Sequence, residues 1–364
     1  MELNEKMEIR VKRRAILWLA STVFSLFLAG LSGWVIKLHY DYQNIPSEHL
    51  IGNKVTNIKA LKEKGFPFSF LAIGDTQSRE KAEKLMKLAL REKNYSFMII
   101  VGDFVKEPDI WNHRFFLTEM TTEIKPPFPV FLTAGNHDID YGLKIKEDER
   151  RVSPEVFESL YGARNFDFVF NECLFIICDI DPRNHSSYLN YLRNTLSKKA
   201  EGKKYIFIFI HYPPQGVYEV IDPPLSQEKI GTLFPNEADF SSLLETYRVT
   251  TCFFGHYHGY WRGQRKGTNL VVSGGGGARL KESKSPWGKF HHILKVGVDQ
   301  QVITEEMITL EERFSIEDFF EEWIFINLFP IIENRAWALY LLLILILTWD
   351  VYAVILFVTS LKKC

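Results

Sequence analysis

The feature that most constrains this chain is a series of short, wholly apolar runs, each of which ends in glycine or polar residues. Phe68–Ile73 leads into Gly74-Asp75-Thr76-Gln77, and Phe97–Val101 into Gly102-Asp103-Phe104. Val130–Thr133 leads, through Ala134, into Gly135-Asn136-His137-Asp138. Tyr205–Ile210 runs into His211-Tyr212-Pro213-Pro214, and Thr251–Phe254 into Gly255-His256-Tyr257-His258. Runs this short and this apolar predict strands in a sheet covered on both faces. Leu174–Asp179, Leu270–Ser273 and Ile293–Val298 read the same way. Between them, helices are expected over Ser78–Glu92, with a face of Leu85, Leu88 and Leu90, and over Ser187–Lys199 and Ala238–Tyr247. The alternation predicts an α/β domain. Gly274–Gly277 reads as a tight loop, because strands flank it.

In α/β sheets, ligand sites gather beyond the carboxyl ends of strands, and glycine there lets backbone approach a ligand closely. One strand-end Asp or His is usually a satisfied turn residue. Five ordered strand ends carrying Asp, Asp, Asn/His, His and His-x-His are unlike a set of unrelated turns. Carboxylate, amide and imidazole suit Mn, Fe, Zn or Ni, and the lack of thiolate argues against a closed structural zinc site. About six ligands exceed the need of one catalytic ion, and suit two divalent ions roughly 3.5–4 Å apart. The four cysteines, at 173, 178, 252 and 364, add no metal site. Cys173 and Cys178 fall in one expected strand and face opposite sides, about 16 Å apart, so they cannot bridge within it.

Two long apolar stretches lie outside this region. Ala15–Ile36 holds 22 residues without a charge, after a basic segment with Lys6, Arg10, Lys12, Arg13 and Arg14. At about 1.5 Å per residue it is long enough to cross a ~30 Å hydrocarbon core. A cleaved signal peptide is the alternative, but no clean small-residue cleavage site follows. Ala336–Ser360 carries only Asp350, a cost of ~3 kcal/mol on insertion scales that its leucines offset. A buried terminal helix is the alternative there. The outer flanks are basic and the inner ones poor in Lys and Arg, so both termini are expected in the cytoplasm and the rest on the extracytoplasmic side. Phe319–Phe325 reads as an interfacial helix. The 14% aromatic content, with 29 Phe, also hints at membrane exposure. Net charge −1 gives no general argument for a nucleic-acid partner. The expected organisation is a basic tail at 1–14, spans at 15–36 and 336–360, a linker at 37–66, a catalytic domain at 67–310, a juxtamembrane segment at 311–335 and a tail at 361–364.

In the order D-x-(H), G-D, G-N-H-D, H, G-H-x-H, the strand-end motifs resemble those of the calcineurin-like metallophosphoesterase superfamily over roughly residues 67–300. The resemblance implies a four-layer α/β/β/α sandwich, here flanked by one transmembrane helix at each end, and a dinuclear centre that hydrolyses phosphomonoesters, phosphodiesters or pyrophosphates through a metal-bridging hydroxide. It implies that Asp75 and His258 hold one metal, that Asp103 bridges, and that Asn136, His211 and His256 complete the second. His137 would act as a non-ligating catalytic imidazole, with Asp138 orienting its ring. One position departs: the usual histidine of the first motif is Gln77, a neutral and weaker donor if it ligates. The loop Val272–Ala278 and His291-His292 resemble extracytoplasmic and purple acid phosphatase relatives, but Phe104 and Val105 replace the tyrosine ligand of the latter. In a strand, one of His291 and His292 would face the core and the other solvent, in a structural role.

Substrate choice is expected to rest on the loops Tyr141–Glu155, Tyr212–Asn236 and Arg262–Lys266, the first and third basic-rich, as suits a phosphorylated small molecule or lipid-linked substrate. Two other readings stay open. Gln77 would suit a membrane-tethered scaffold with a decayed site, and a reversed topology would place the domain in the cytosol.

Overall fold

The structure is a computed structural model that describes residues 2–43, 49–63, 65–92, 94–142, 150–221, 234–281, 288–310, 323 and 336–361. It divides into two compact units, Met1–Ile45 with Trp323–Cys364, and Pro46–Glu322. The expected interfacial helix at Phe319–Phe325 and the inner parts of two expected specificity loops (143–149 and 222–233) lie outside the described residues, apart from Trp323.

The larger unit is built on two sheets. The first is ordered β11 (Ile303–Thr309), β10 (His292–Val298), β1 (Phe68–Ile73), β2 (Met98–Val101), β3 (Val130–Thr133). The second is ordered β4 (Phe166–Phe170), β5 (Cys173–Cys178), β6 (Tyr205–Ile210), β7 (Thr251–Phe254), β9 (Thr268–Ser273), β8 (Tyr260–Arg265). β1, β2 and β3 run parallel, as do β5, β6, β7 and β9, while β10, β11, β4 and β8 pair antiparallel at the flanks. This is a mixed α/β sandwich. The apolar central strands are those the sequence predicts. β4, β8 and β11 are additional, and their alternating or exposed patterns lack the apolar runs that mark the central strands.

The two sheets meet through phenylalanine. Phe70 and Phe97 from the first sheet stack at 5.2 Å, and both meet Phe175 of the second edge-on, at 5.5 and 5.0 Å. Eleven of the 29 Phe lie in this inter-sheet core. A large share of the aromatic content is therefore accounted for by ring packing between sheets, where tilted and offset pairs add to burial. Cys173 belongs to this core and Cys178 to the opposite one, beneath the helices, as a five-residue spacing along one strand requires.

Helices cover the outer faces. α3 (Glu80–Ala89) lies on the β10–β11 side, and α6 (Ser187–Lys199) and α8 (Glu237–Thr246) pack over the second sheet. α3 begins two residues later than expected because Gln77 and Ser78 have φ of 48° and 46°, outside helical space. Its buried face is Ala82, Leu85, Met86 and Ala89, in place of the expected Leu85, Leu88 and Leu90. Between β2 and β3, α4 (Ile110–Thr118), capped by the Asp109 carboxylate on Asn112 N–H, runs into a π-helical turn at Glu119–Ile124. α2 (Val55–Ala60) precedes β1, α5 (Pro154–Tyr161) precedes β4, and α7 (Gln215–Ile221) follows β6.

In the smaller unit, α1 (Glu2–Gln43) packs against α9 (Ala336–Leu361). Ser25 and Ser32 are buried on α1, and Ile346 and Ala353 on α9, each pair seven residues apart along one seam. Phe24, Phe27, Ile344 and Leu345 are exposed. Taken over the described residues, no helix is long and apolar enough to cross a membrane, so the two expected spans are not established by the structure. Both carboxylate oxygens of Asp350 are enclosed with no hydrogen-bond partner among the described residues.

Candidate metal centre

The carboxyl ends of β1, β2 and β3 in one sheet and of β6 and β7 in the other converge, bringing five separate motifs to one place. The carboxylate of Asp103 belongs to two clusters of potential ligands, one with His211 and His256 and one with Asp75 and His258, in each of which the donor atoms lie within 4.8 Å of one another. His211 Nε2 stands 3.3 Å from Asp103 Oδ2, and His258 Nε2 3.3 Å from Asp75 Oδ1. His256 Nδ1 faces Asn136 Oδ1 at 2.9 Å. Gln77 is buried two residues after Asp75, and its main-chain N–H donates to the Asp103 carbonyl at 2.9 Å.

Local backbone explains the convergence. Asp75, Asp103 and His256 have φ of 56°, 51° and 64°, a left-handed conformation that costs non-glycine residues on the order of 1 kcal/mol or more each. Three of the expected ligands thus sit in strained turns held by their surroundings. Glycines leave room for them. A Cβ at Gly255 would lie 2.7 Å from Asp75 Oδ2, and one at Gly274 would meet the same oxygen at 2.7 Å. A Cβ at Gly276 would collide with the carbonyl of Gly74, and one at Gly277 would approach that of Thr76 at 2.6 Å. The Gly274–Gly277 run is thus a tight loop, and it packs onto the turn that carries Asp75.

The imidazoles are aimed by backbone carbonyls. His211 Nδ1–H donates to Val101 O at 3.0 Å and His258 Nδ1–H to Arg279 O at 2.7 Å, which leaves each Nε2 lone pair pointing inward. Burial lowers the His211 pKa, but the Asp103 carboxylate outweighs it and pushes the ring up to about 10, so positive charge at Nε2, from a proton or a metal ion, is favoured. Burial likewise disfavours the Asp103 anion, yet His211, with His137 and His256, holds its carboxyl well below the usual range. His256, beside His211 and buried, is held well below the ordinary histidine value.

Asp75 Oδ1 and His211 Nε2 are enclosed yet have no hydrogen-bond partner among the described residues. Buried polar atoms are rarely left so, because each costs about 1–3 kcal/mol. Facing lone pairs on oxygen and imidazole nitrogen, with no thiolate, form the donor set of a divalent-metal site. The residues present fit the group.

His137 lies at the rim, its side chain 35% exposed and its Nε2 3.9 Å from Asp103 Oδ2. Its orientation differs from expectation. Nδ1 lies 2.5 Å from the Lys106 carbonyl, whereas Asp138 does not touch the ring. The Asp138 carboxylate instead accepts four main-chain N–H groups, from Gly135, Asp103, Phe104 and Val105, at 2.7, 2.8, 2.9 and 3.2 Å. Pointing inward from the turn, it ties the β2 and β3 ends together, and so orients the Asp103 turn rather than the imidazole. Burial and the neighbouring Asp103 charge raise its pKa, against the pull of these donors.

Two further residues support the same loop. His113 is fully buried, with Nε2 2.9 Å from Asp138 O and Nδ1 2.9 Å from the Tyr161 hydroxyl. Burial drives its pKa down to about 3, so the ring is neutral. In the sequence His113 is a lone histidine in a mixed stretch, and no local pattern marks it. Phe104 packs on Phe116 at 4.5 Å and Tyr161 at 5.3 Å. His291 and His292 are both buried, correcting the expectation that one faces solvent. β10 begins only at His292, and the chain before it folds onto the glycine loop, with His291 Nδ1 3.2 Å from Gly275 O and His292 Nε2 3.1 Å from Ser273 Oγ.

Two sheets whose strand ends jointly present carboxylates and imidazoles around a shared aspartate define a divalent-metal hydrolase site on an α/β sandwich. The chain belongs to the calcineurin-like phosphoesterase family, whose sequence profile matches residues 68–260, more than half of its length. Members of this family bind divalent metals and hydrolyse phosphoesters. The fold is similar to purple acid phosphatase PPD1 from yellow lupin (Lupinus luteus) seeds, with a TM-score of 0.51 and 17% identity over 68% of this chain and 52% of the lupin chain. The match thus spans about half of the lupin protein. GAP50, the anchor in the inner membrane complex of Plasmodium, is also similar, at TM-score 0.46 and 15% identity over 72% of this chain and 95% of that one. No curated protein sequence matches the chain.

Proposed function

We propose that this chain is a phosphoesterase working at a dinuclear divalent-metal centre, with Asp75 and His258 on one ion, Asn136, His211 and His256 on the other, and Asp103 between them. The observation that carries this reading is the membership of Asp103 in both ligand clusters, with Asp75 Oδ1 and His211 Nε2, which have no hydrogen-bond partner among the described residues, on either side. When bound, a pair of such ions supplies Lewis-acid stabilisation of a phosphoryl group and acidifies water.

The remaining steps belong to the chain. His137 N–H holds Asp103 Oδ1 at 2.9 Å, which leaves Oδ2 for the inner side. With Nδ1–H on the Lys106 carbonyl, His137 carries any second proton on Nε2, and in that imidazolium form Nε2–H is the group that donates to a phosphoryl oxygen and passes its proton to the departing alkoxide, leaving the ring neutral. Asp138 keeps the β2 and β3 turns in register while it does so.

The same proposal places the domain at a membrane, anchored by 15–36 and 336–360, on the extracytoplasmic side with both termini cytoplasmic, acting on a phosphorylated compound that includes lipid-linked esters. Support comes from the charge-free Ala15–Ile36, the single acid in Ala336–Ser360 and the exposed apolar side chains of both helices. Full-length protein in metal-supplemented detergent is expected to hydrolyse bis-4-nitrophenyl phosphate, and protease added outside sealed vesicles or cells is expected to cut the domain while sparing the tails. Absence of hydrolysis with Mn, Fe, Zn and Ni alike would sink the enzymatic reading, and a protected domain the topological one.

A further inference from the structure

A cavity of about 570 Å³ opens from the candidate metal centre, with Asn136, His137 and His256 at its inner end. That volume is in the range of small-molecule sites. Its walls away from the centre include Pro108, Ile139, Ile180 and Pro182, and Ile139 and Ile180 are buried. Tyr141 adds a fixed aromatic wall. Its hydroxyl donates to Asp179 Oδ1 at 2.6 Å, and Arg164 Nη1 takes the other oxygen of that carboxylate at 2.5 Å. The phenol is thereby committed within the protein.

The charged side chains of the described lining are engaged with one another. Arg151 is the one arginine or lysine among the described lining residues, and its Nε lies 2.9 Å from Asp140 Oδ2 while Nη1 is 4.0 Å from Glu107 Oε2. One guanidinium thus stands against two carboxylates. A second phosphate or a carboxylate seated against these outer walls would lose hydration and face two carboxylates that already hold the one guanidinium, with no free cation among the described lining residues to receive it.

Resting on the proposed phosphoesterase activity, we infer that this cavity holds the alcohol half of the ester, and that this alcohol is uncharged and largely apolar. Pyrophosphates and esters of acidic alcohols are disfavoured by the same walls.

The test uses full-length protein in detergent, loaded with divalent metal, and two substrates of equal leaving-group acidity. These are 4-propylphenyl phosphate and the phosphate ester of 3-(4-hydroxyphenyl)propionate, each as monoester and as methyl diester. The neutral ester is expected to be favoured in kcat/KM by roughly tenfold or more. Along methyl, ethyl and propyl substituents, each methylene is expected to add about fourfold. Pro182→Lys, which sets a cation in the wall, is expected to lower the neutral-to-anionic ratio at least about fivefold. Equal rates, a preference for the carboxylate, a flat alkyl series, or an unchanged ratio in an active Pro182→Lys enzyme would each overturn the inference while leaving the phosphoesterase reading intact. Absence of metal-dependent hydrolysis of every ester would overturn both.

Discussion

The carboxylate of Asp138 accepts the main-chain N–H of Asp103 at 2.8 Å, across 35 residues of sequence. Its other bonds, from Gly135, Phe104 and Val105, make it the knot between two ligand-bearing turns. Asp138→Asn replaces one acceptor oxygen with an N–H₂ group facing N–H donors. The variant is expected to lose about 2–4 kcal/mol of stability and roughly 10–100-fold in metal affinity. Metal titration and thermal unfolding check this. Full metal binding with a displaced pH–rate profile would instead indicate that Asp138 acts on His137.

His137 should separate from the ligands by the opposite signature. With its ring held by the Lys106 carbonyl, His137→Ala is expected to cut kcat by about 10²–10⁴ with metal content unchanged. The loss should be smaller for esters whose leaving group needs no proton, such as 4-nitrophenolate, than for alkyl esters. Equal losses on both would argue against proton donation.

The glycine loop makes a steric prediction. A Cβ at Gly274 would lie 2.7 Å from Asp75 Oδ2 and collide with the Tyr257 carbonyl. Gly274→Ala is expected to cost about 1–3 kcal/mol through overpacking and, on the proposed assignment, to weaken the ion that Asp75 and His258 would hold before the other. Stepwise metal analysis reads the order of loss.

Buried neutral histidines set the acid limit of stability. His113 is held down to about 3 and His292 to about 4 by burial, against an ordinary value of 6.5. Because the unfolded chain binds protons that the folded one refuses, their contribution is complete above the unfolded pKa and is lost as pH falls toward the folded values. Each group is expected to add a slope of about 1.4 kcal/mol per pH unit below 6.5. Denaturant unfolding at a series of pH values checks this, and His292→Gln should remove one such increment.

The convergence of the candidate ligands was readable because each is local: an apolar run followed at once by glycine or a polar residue, at the end of a strand whose burial its own sequence declares. Asp103, His211 and His256 needed no knowledge of their partners to be noticed. Asp138 did. Its partners in the Asp103–Val105 turn lie 33 to 35 residues away, so adjacency to His137 suggested the wrong one. His113 and Tyr161, 48 residues apart, were invisible for the same reason. β8 and β11 went unread because strands at a sheet margin carry exposed polar residues and lose the apolar run. The phenylalanines could be counted but not placed, since composition does not distinguish a lipid-facing ring from one between two sheets.

Metal analysis of the purified full-length chain, coupled to hydrolysis of bis-4-nitrophenyl phosphate, tests the dinuclear centre most directly. The account predicts about two divalent ions per chain, with Asp103→Asn retaining fewer than about one and losing at least roughly 10³-fold in rate. Fewer than one ion in the unaltered chain after reconstitution with each of Mn, Fe, Zn and Ni, or a rate that survives Asp103→Asn, would contradict it.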